Sequence, residues 1–312
     1  MQRSIARSLE PELLDACDGR LRDLCWVRMD WQRGGALTGT AQYESTDGPR
    51  EAFVKFPVPG RELSWIRRLQ DCEDPPIVPR LFESGESLAH HDIGWLVMER
   101  LPGMPLGSRW SPGHLSRTAS ACASMQACMT GIPIDRPKRK DDWERWLEQS
   151  SQSIIENELP EKKRWAAALR LARIHWNDII GQWRARTPIH WIHGDLHLGN
   201  AMFRNDGKTI CLVDLAEVRP GHWIEDALYL ERLYWSHPDR VRDECPLESM
   251  LEARLKLGLE VGKGIVALAN ARRILLAATT PAFIAQEGTR AHLKASLNVL
   301  ENGLALWSRN GR

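Results

Sequence analysis

The chain has 312 residues, which is enough for two domains or for one large bilobal domain. Its 42 Lys and Arg residues almost balance its 41 Asp and Glu residues, and the formal charge of +1 argues against a protein that binds nucleic acid by neutralising many phosphates. Hydrophobic residues make up 43% of the chain, which is enough to fill a core and argues against a wholly disordered protein.

The cysteines and the N-terminal residues bear on the compartment. The seven cysteines form neither a CxxC pair nor a zinc-spaced cluster with histidine, so we expect reduced thiols. The first 14 residues contain no apolar run of signal-peptide length, and no stretch approaches 18 consecutive apolar residues. We therefore expect a cytoplasmic protein without a membrane partner.

Alternating apolar residues and turn signals in the first hundred residues predict a small, mostly antiparallel sheet that carries one main helix. The predicted elements are a helix at 9–24, strands at 26–31, 40–45 and 52–56, a helix at 61–71, and strands at 76–83 and 93–99. Leu101-Pro102-Gly103 interrupts this pattern. We therefore place a lobe boundary here, with an N-terminal lobe at 1–100 and a C-terminal lobe at 101–312.

The second lobe is predicted to be mostly helical, which makes the whole chain α+β. Ser111-Pro112 and Asp141-Asp142 are typical helix starts, and Pro160 begins a long helix that ends near residue 186. A strand at 189–192 and a hairpin with arms at 200–204 and 209–215 interrupt the helices, which resume at Glu225.

The strongest chemical signal is the segment HGDLHLGN at residues 193–200, followed by Leu212-Val213-Asp214. Asp195 follows a strand, Asn200 begins the hairpin, and the hairpin returns Asp214 to the neighbourhood of Asn200. An amide oxygen and a carboxylate suit Mg²⁺, which leaves Asp195 to accept the proton of an attacking hydroxyl. Asp-x-x-x-x-Asn with a downstream Asp is also the spacing of kinase catalytic loops.

These motifs closely resemble those of the aminoglycoside phosphotransferase-like small-molecule kinases. The resemblance covers residues of about 30 to 230 and implies a bilobal protein-kinase-like fold with a nucleotide-binding N-terminal lobe. It implies transfer of the γ-phosphoryl group of ATP to a hydroxyl of a small molecule, with Asp195 as catalytic base and Asn200 and Asp214 as Mg²⁺ ligands. His193 would shape the loop.

Lys55 and Glu62 are the candidate phosphate-binding pair. Lys55 interrupts the apolar strand AFVKF, and a buried lysine needs an acidic partner. Glu62 shares a helical face with Trp65, Ile66 and Leu69, so it points inward. The alternative is an edge-strand lysine with its head in water. The resemblance favours a Lys–Glu pair.

The remaining nucleotide contacts are implied by position. Gly34 and Gly35 (with Gly39) occupy the place of the nucleotide-covering loop, although their spacing also fits an ordinary glycine-rich hairpin. The resemblance places adenine against the backbone of Glu99 and Leu101, with Met98 facing it. The chain lacks the GxxxxGK[ST] motif, which disfavours a Walker-type NTPase.

Two acidic residues after Asp214 have open roles. By the resemblance Asp226 braces the catalytic loop, while its simpler role is to favour a helix N-terminus. The family's usual aromatic-containing run is replaced here by Leu215-Ala216-Glu217, and Glu217 is a candidate additional carboxylate at the metal.

Other functional classes fit less well. A dinuclear phosphoesterase would need further Asp-x-His and Gly-Asn-His blocks, which are missing. A protein kinase would need an activation segment ending in Ala-Pro-Glu, which is also missing. A nucleotide-binding scaffold without catalysis stays open, although all the named kinase groups are present.

The acceptor is the least determined part of the prediction. An aminoglycoside would favour a strongly acidic cleft, yet acidic and basic side chains are equal in number over residues 213–312. The second lobe is rich in tryptophans, which predict helix packing first and an apolar or sugar-stacking pocket second: Trp143, Trp146, Trp165, Trp176, Trp183, Trp223 and Trp235. The choice of ATP over GTP and the oligomeric state are not determined by the sequence.

Overall fold

The structure is a computed structural model that describes residues 2–27, 36–134, 141–187, 189–287 and 289–310. Within these ranges, no helix combines the length and the apolar character that are needed to cross a membrane. The predicted glycine loop residues Gly34 and Gly35 lie outside the described ranges, as does the short basic run at 136–140.

The N-terminal part of the chain contains most of the strands, and the C-terminal part is mainly helical. In chain order they are α1 (Gln2–Ala16), β1 (Leu21–Val27), β2 (Leu37–Ser45), β3 (Gly48–Phe56), α2 (Gly60–Arg68), β4 (Leu81–Gly85), β5 (Trp95–Glu99), α3 (His114–Cys128), α4 (Trp143–Glu156), α5 (Lys162–Arg184), β6 (His190–Ile192), β7 (Ala201–Phe203), β8 (Ile210–Leu212), β9 (Arg219–Gly221), α6 (Ile224–Arg232), α7 (Pro238–Asp243), α8 (Pro246–Lys256), α9 (Ile265–Thr279), α10 (Ile284–Glu287) and α11 (Arg290–Asn310). Short 3-10 helices lie at Leu106–Ser108, Leu198–Asn200 and Thr280–Phe283. The α+β composition agrees with the prediction.

Two compact units make up the chain, and each consists of two segments. The first unit contains residues 1–110 and 193–218, and the second contains residues 111–192 and 219–312. Residues 193–218, which carry the HGD motif, therefore belong to the same compact unit as the N-terminal sheet. The functional lobe boundary at residue 100 stays a prediction.

The first unit is built on a five-stranded antiparallel sheet in the order β1-β2-β3-β5-β4. The predicted turn at Asp47-Gly48 joins β2 to β3, where Ser45 pairs with Gly48. One face of the sheet packs on α1 through Leu9 and Leu13, which are buried with Val54 and Phe56 of β3. The hairpin β7–β8 joins the unit through a hydrogen bond from the Leu212 backbone N–H to the carbonyl of Ile77 (2.8 Å).

The predicted bounds of the first helix and of two strands in the first unit were wrong, and one of these strands, β4, covers Leu81–Gly85 and not 76–83. The first helix ends at Ala16 and not at residue 24, because Asp18 and Gly19 take left-handed backbone conformations (φ 49° and 70°) that end the helix. Leu21, whose spacing suited the helix, is instead the first residue of β1 and is buried. Strand β1 therefore begins at Leu21 and not at residue 26, and residues 28–31 of the predicted strand lie outside the described ranges.

The second unit is mainly helical, and its tryptophans form its core. Asp142 caps α4 as predicted, because its side chain accepts a hydrogen bond from the Arg145 backbone N–H (3.3 Å). Strand β9 was not predicted; it pairs with β6 in a two-stranded sheet. Six of the seven tryptophans named above are buried: Trp143, Trp165, Trp176, Trp183, Trp223 and Trp235. Helix packing, the first interpretation, thus accounts for these six.

The cysteines differ in state from the expectation of reduced thiols. Cys17, Cys25, Cys122, Cys211 and Cys245 are free thiols. Cys72 and Cys128 are disulfide-bonded. The expectation was wrong for these two residues, because a disulfide depends on which cysteines meet in space and the spacing along the sequence does not determine that.

Candidate active site

Lys55 and Glu62 form a buried ion pair in the first unit. Lys55 Nζ donates to Glu62 Oε1 at 2.7 Å, and only 14% of the lysine side chain and 4% of the glutamate side chain are exposed. Burial raises the pKa of Glu62, and the charge of Lys55 opposes that rise. The helical-face argument thus placed Glu62 correctly, and the edge-strand alternative does not describe Lys55.

Asp214 also approaches Lys55. Its Oδ1 is 3.5 Å from Lys55 Nζ, and 48% of its side chain is exposed. Asp214 adopts a positive φ of 62°, which an aspartate tolerates better than most residues but which still costs about 1 kcal/mol or more. The unusual backbone conformation turns the chain directly after β8, at the point where the carboxylate approaches Lys55.

Asp195 and Asn200 are joined within the loop that follows β6. Asn200 Nδ2 donates to the Asp195 backbone carbonyl (3.0 Å) and to Asp195 Oδ2 (3.3 Å). With its amide nitrogen so engaged, Asn200 turns Oδ1 away from Asp195. The Val213 backbone N–H donates to the Asn200 carbonyl (3.0 Å), so the β7–β8 hairpin brings Asp214 back beside Asn200 as predicted from the sequence.

The chemistry of these donors fits a magnesium ion. Asn200 and Asp214 offer one amide oxygen and one carboxylate, which are hard oxygen ligands. Over the described ranges, no group of three or more His, Cys, Asp or Glu side chains could hold a metal. Mg²⁺ does not need such a cage, because it commonly takes only one or two protein ligands and completes its shell with water and phosphate oxygens. The exposed Glu217 side chain has no established role at this site.

His193 and Gly194 shape the start of the loop. The His193 side chain is fully buried; Nδ1 accepts from the Asp195 backbone N–H (3.4 Å), and Nε2 lies 3.2 Å from the Val213 carbonyl. Gly194 has a φ of 82°, and a Cβ atom at this position would collide with the backbone carbonyl of Glu217. The hydrogen-bond contact of His193 and the close approach at Gly194 therefore hold the HGD loop against the segment that carries Asp214.

The predicted adenine-binding residues lie at the end of the sheet. Met98 is the fourth residue of β5 and is buried, Glu99 ends the strand, and Leu101 is buried just beyond it. The Glu99 side chain pairs with Arg204 and accepts from the Arg80 backbone N–H (3.1 Å). A nucleotide contact at Glu99 would therefore use backbone atoms, as the sequence argument required.

Arg204 was missed by the sequence reasoning. The residue is only 7% exposed. Its side chain donates to Glu99, to the carbonyl of Pro76 and to the carbonyl of Val78 (2.8 Å). A lone arginine beside the turn Asn205-Asp206-Gly207 resembles any surface hairpin cation, so no local signal identified it. It links the β7–β8 hairpin to Glu99, one of the predicted adenine-binding residues.

Asp226 lies in the first turn of α6 in the second unit. Its side chain is buried, and Oδ2 accepts from Gln126 Nε2 (3.2 Å) and from the Cys122 thiol (3.2 Å). Gln126 Oε1 in turn accepts from Arg254 Nη1 (2.5 Å). Asp226 is thus a member of a buried hydrogen-bond network and does more than favour a helix terminus. Its role as a brace of the catalytic loop stays a prediction.

An antiparallel sheet with clustered Lys, Glu, Asp and Asn residues is typical of phosphotransferases of the protein-kinase-like class. The model of the phosphotransferase enzyme family matches residues 32–255. This match covers more than half of the chain, and the chain therefore belongs to that family, in agreement with the resemblance noted from the motifs. No curated protein sequence matches this chain.

Solved structures of the family share the fold. An aminoglycoside phosphotransferase from Alicyclobacillus acidocaldarius aligns with a TM-score of 0.56 at 14% identity, over 95% of this chain and 94% of that chain. The AMP-bound spectinomycin phosphotransferase APH(9)-Ia gives 0.55 at 15% identity, over 94% and 96%. The GDP complex of aminoglycoside 2'-phosphotransferase-IIIa gives 0.54 at 11% identity, over 95% and 97%. The predicted bilobal protein-kinase-like fold is confirmed.

Proposed function

We propose that this phosphotransferase uses ATP and Mg²⁺ to phosphorylate a hydroxyl group of a small molecule. The observation that carries the proposal is the grouping of four side chains, those of Lys55, Glu62, Asn200 and Asp214, in one compact unit. Lys55 contacts both Glu62 and Asp214, and the backbone N–H of Val213, the residue before Asp214, donates to the carbonyl of Asn200. This group supplies a cation for phosphate oxygens and two oxygen ligands for a metal.

The reaction then needs one proton acceptor and good positioning. The Asp195 carboxylate accepts the proton of the acceptor hydroxyl as the oxygen attacks the γ-phosphorus. The bond between the γ-phosphorus and the bridging β–γ oxygen breaks, and ADP leaves with the electron pair. Asn200 and Asp214 would hold Mg²⁺, which would supply positive charge to neutralise the phosphates. Lys55, held by Glu62, binds the phosphate oxygens throughout.

The acceptor is proposed at the level of a hydroxylated small molecule. The related structures include enzymes named for aminoglycosides and for spectinomycin. The equal numbers of acidic and basic residues over 213–312 give no support for a polycationic acceptor here. The burial of six tryptophans likewise leaves little support for a stacking platform.

A panel assay tests the activity. Aminoglycosides, macrolides, sugars and amino alcohols are offered with Mg²⁺ and either ATP or GTP, and acceptor-dependent ADP or GDP release and product mass are measured. Both nucleotides are included because related structures hold AMP in one case and GDP in another. A phosphorylated product supports the proposal, and nucleotide binding without transfer to any acceptor supports the scaffold alternative.

Asp195→Asn tests the assignment of the base. We expect turnover to fall by roughly 10²–10⁴-fold, the usual contribution of a positioned base, while nucleotide affinity measured by calorimetry stays within about twofold. Asp178→Asn, an exposed change in α5, is the matched control and should leave both quantities unchanged. Loss of nucleotide binding together with turnover in Asp195→Asn would contradict the assignment.

A further inference from the structure

The side chain of His197, within the HGDLHLGN loop, is fixed by a hydrogen bond from the backbone of Gly199. It lies at the N-terminus of the short 3-10 helix Leu198–Asn200, and its Nδ1 accepts from the Gly199 backbone N–H at 2.9 Å. A Cβ atom on Gly199 would lie 2.7 Å from His197 Cε1 and 2.8 Å from Nδ1. The glycine therefore makes room for the imidazole, and this close packing fixes the plane of the ring.

The hydrogen bond from Gly199 determines which ring nitrogen carries the proton. Because the backbone N–H donates into Nδ1, this atom presents its lone pair, and the proton of the neutral ring is on Nε2. Nε2 lies 3.5 Å from Asp195 Oδ2. An N–H donor thus faces the carboxylate that the proposed mechanism uses as its base.

The same carboxylate oxygen accepts a hydrogen bond from Asn200. Asn200 Nδ2 lies 3.3 Å from Asp195 Oδ2, so His197 and Asn200 approach one oxygen from two residues of one loop. The hydrogen bond from Asn200 and the imidazole contact together restrict the rotation of the carboxylate, and with it the direction of Oδ1. A base must lie within hydrogen-bond reach of the proton that it takes, so an error in this rotation slows the reaction.

We propose that His197 is a positioning residue, whose Nε2–H orients the Asp195 carboxylate for phosphoryl transfer. This inference rests on the proposed function. It assigns a task to the second histidine of HGDLHLGN that helix capping alone does not need. Capping uses only Nδ1, whereas positioning also uses Nε2, so the two tasks belong to different atoms of one ring.

Two substitutions distinguish the role of Nδ1 from the role of Nε2. His197→Asn keeps an acceptor near the place of Nδ1 and loses the donor to Asp195, while His197→Gln keeps a donor near the place of Nε2. We expect kcat to fall about tenfold or more in His197→Asn, with the KM for nucleotide unchanged, and to stay within about threefold of wild type in His197→Gln. Full kcat in His197→Asn, or equal losses in both variants, would overturn the proposal.

A measurement without turnover keeps this test separate from that of the proposed function. Long-range ¹H–¹⁵N spectra of the full chain should show His197 protonated at Nε2 and unprotonated at Nδ1, with the Nε2 signal shifted in Asp195→Ala. The opposite tautomer, or an Nε2 signal that ignores Asp195→Ala, overturns the positioning role. Absence of transfer to every acceptor in the panel, with the expected spectra, counts against the proposed function only.

Discussion

Lys55→Met removes one partner of the buried pair and leaves the other in place. Methionine keeps the unbranched stem of lysine in β3, so the change removes mainly charge. Glu62 then stays 3% exposed with a carboxylate that has lost its cation, and its Oε2 already has no hydrogen-bond partner among the described residues. Breaking a buried pair in this way costs about 3–5 kcal/mol in the free energy of unfolding.

The double variant Lys55→Met/Glu62→Gln tests the origin of that loss. It removes both charges, so no uncompensated carboxylate stays buried, and we expect it to recover about 1–3 kcal/mol relative to Lys55→Met. A purely steric effect of the methionine would give no recovery. The comparison therefore separates electrostatics from packing.

The pH dependence follows from the raised pKa of Glu62. Burial raises this pKa, and loss of Lys55 removes the charge that opposes the rise. The folded variant then binds a proton that the unfolded chain, with a glutamate pKa of about 4.3, binds only at lower pH. The destabilisation is therefore complete above the folded-state pKa and is relieved as the pH falls through it.

Urea unfolding followed by circular dichroism at pH 8 and pH 5.5 measures these effects. Lys163→Met, an exposed change in α5, should lose less than about 0.5 kcal/mol at both pH values. The reasoning is refuted if Lys55→Met and the double variant are equally unstable, or if the loss in Lys55→Met is the same at both pH values.

Three further predictions concern stability. Gly194→Ala should lower the free energy of unfolding by about 1–3 kcal/mol, because φ is 82° and the new Cβ meets the carbonyl of Glu217. Burial lowers the pKa of His222 to about 4, so the folded state binds fewer protons than the unfolded chain, and stability should fall below pH 6.5 by at most about 1.4 kcal/mol per pH unit from this residue. Arg204→Met should cost about 3–5 kcal/mol, because it leaves Glu99 without its buried cation.

Each of these has a control measured by the same urea unfolding. Gly207→Ala also has a positive φ (64°) but open space around its Cβ, so it should cost less than Gly194→Ala. His222→Asn should flatten the acid slope between pH 4 and 6.5, and an unchanged slope would contradict the assignment. Arg80→Met breaks an exposed ion pair and should cost about 1 kcal/mol or less, so a loss equal to that of Arg204→Met would count against the burial argument.

Local sequence patterns predicted much of the fold. Strands β2, β3 and β5 and helices α2, α4 and α5 followed from alternation, helical spacing and caps, and the Lys55–Glu62 contact followed from one helical face. The patterns failed where tertiary pairing decides. Strand β9 contains Pro220 and Gly221 and has no strand propensity, and it exists because β6 pairs with it.

The candidate site was predictable to the extent that its residues lie in one short motif. Asp195, Asn200 and Asp214 are related by a hairpin, whose geometry follows from the turn residues. The partners that reach the site from a distance were not predictable. Arg204 meets Glu99 across 105 positions of the chain, and Gln126 meets Asp226 across 100. Such pairs depend on packing that no single segment encodes.

The order of the two compact units along the chain has a consequence for how this enzyme diversifies. Residues 111–192 leave the first unit after Trp110 and return to it at His193, so they form an insertion into a unit that already contains Lys55, Asp195 and Asp214. Changes in length or sequence within the insertion need not alter the register of the sheet or of the β7–β8 hairpin. A library confined to 111–192 would therefore vary the second unit while the sequence around Lys55, Asp195 and Asp214 stays unchanged.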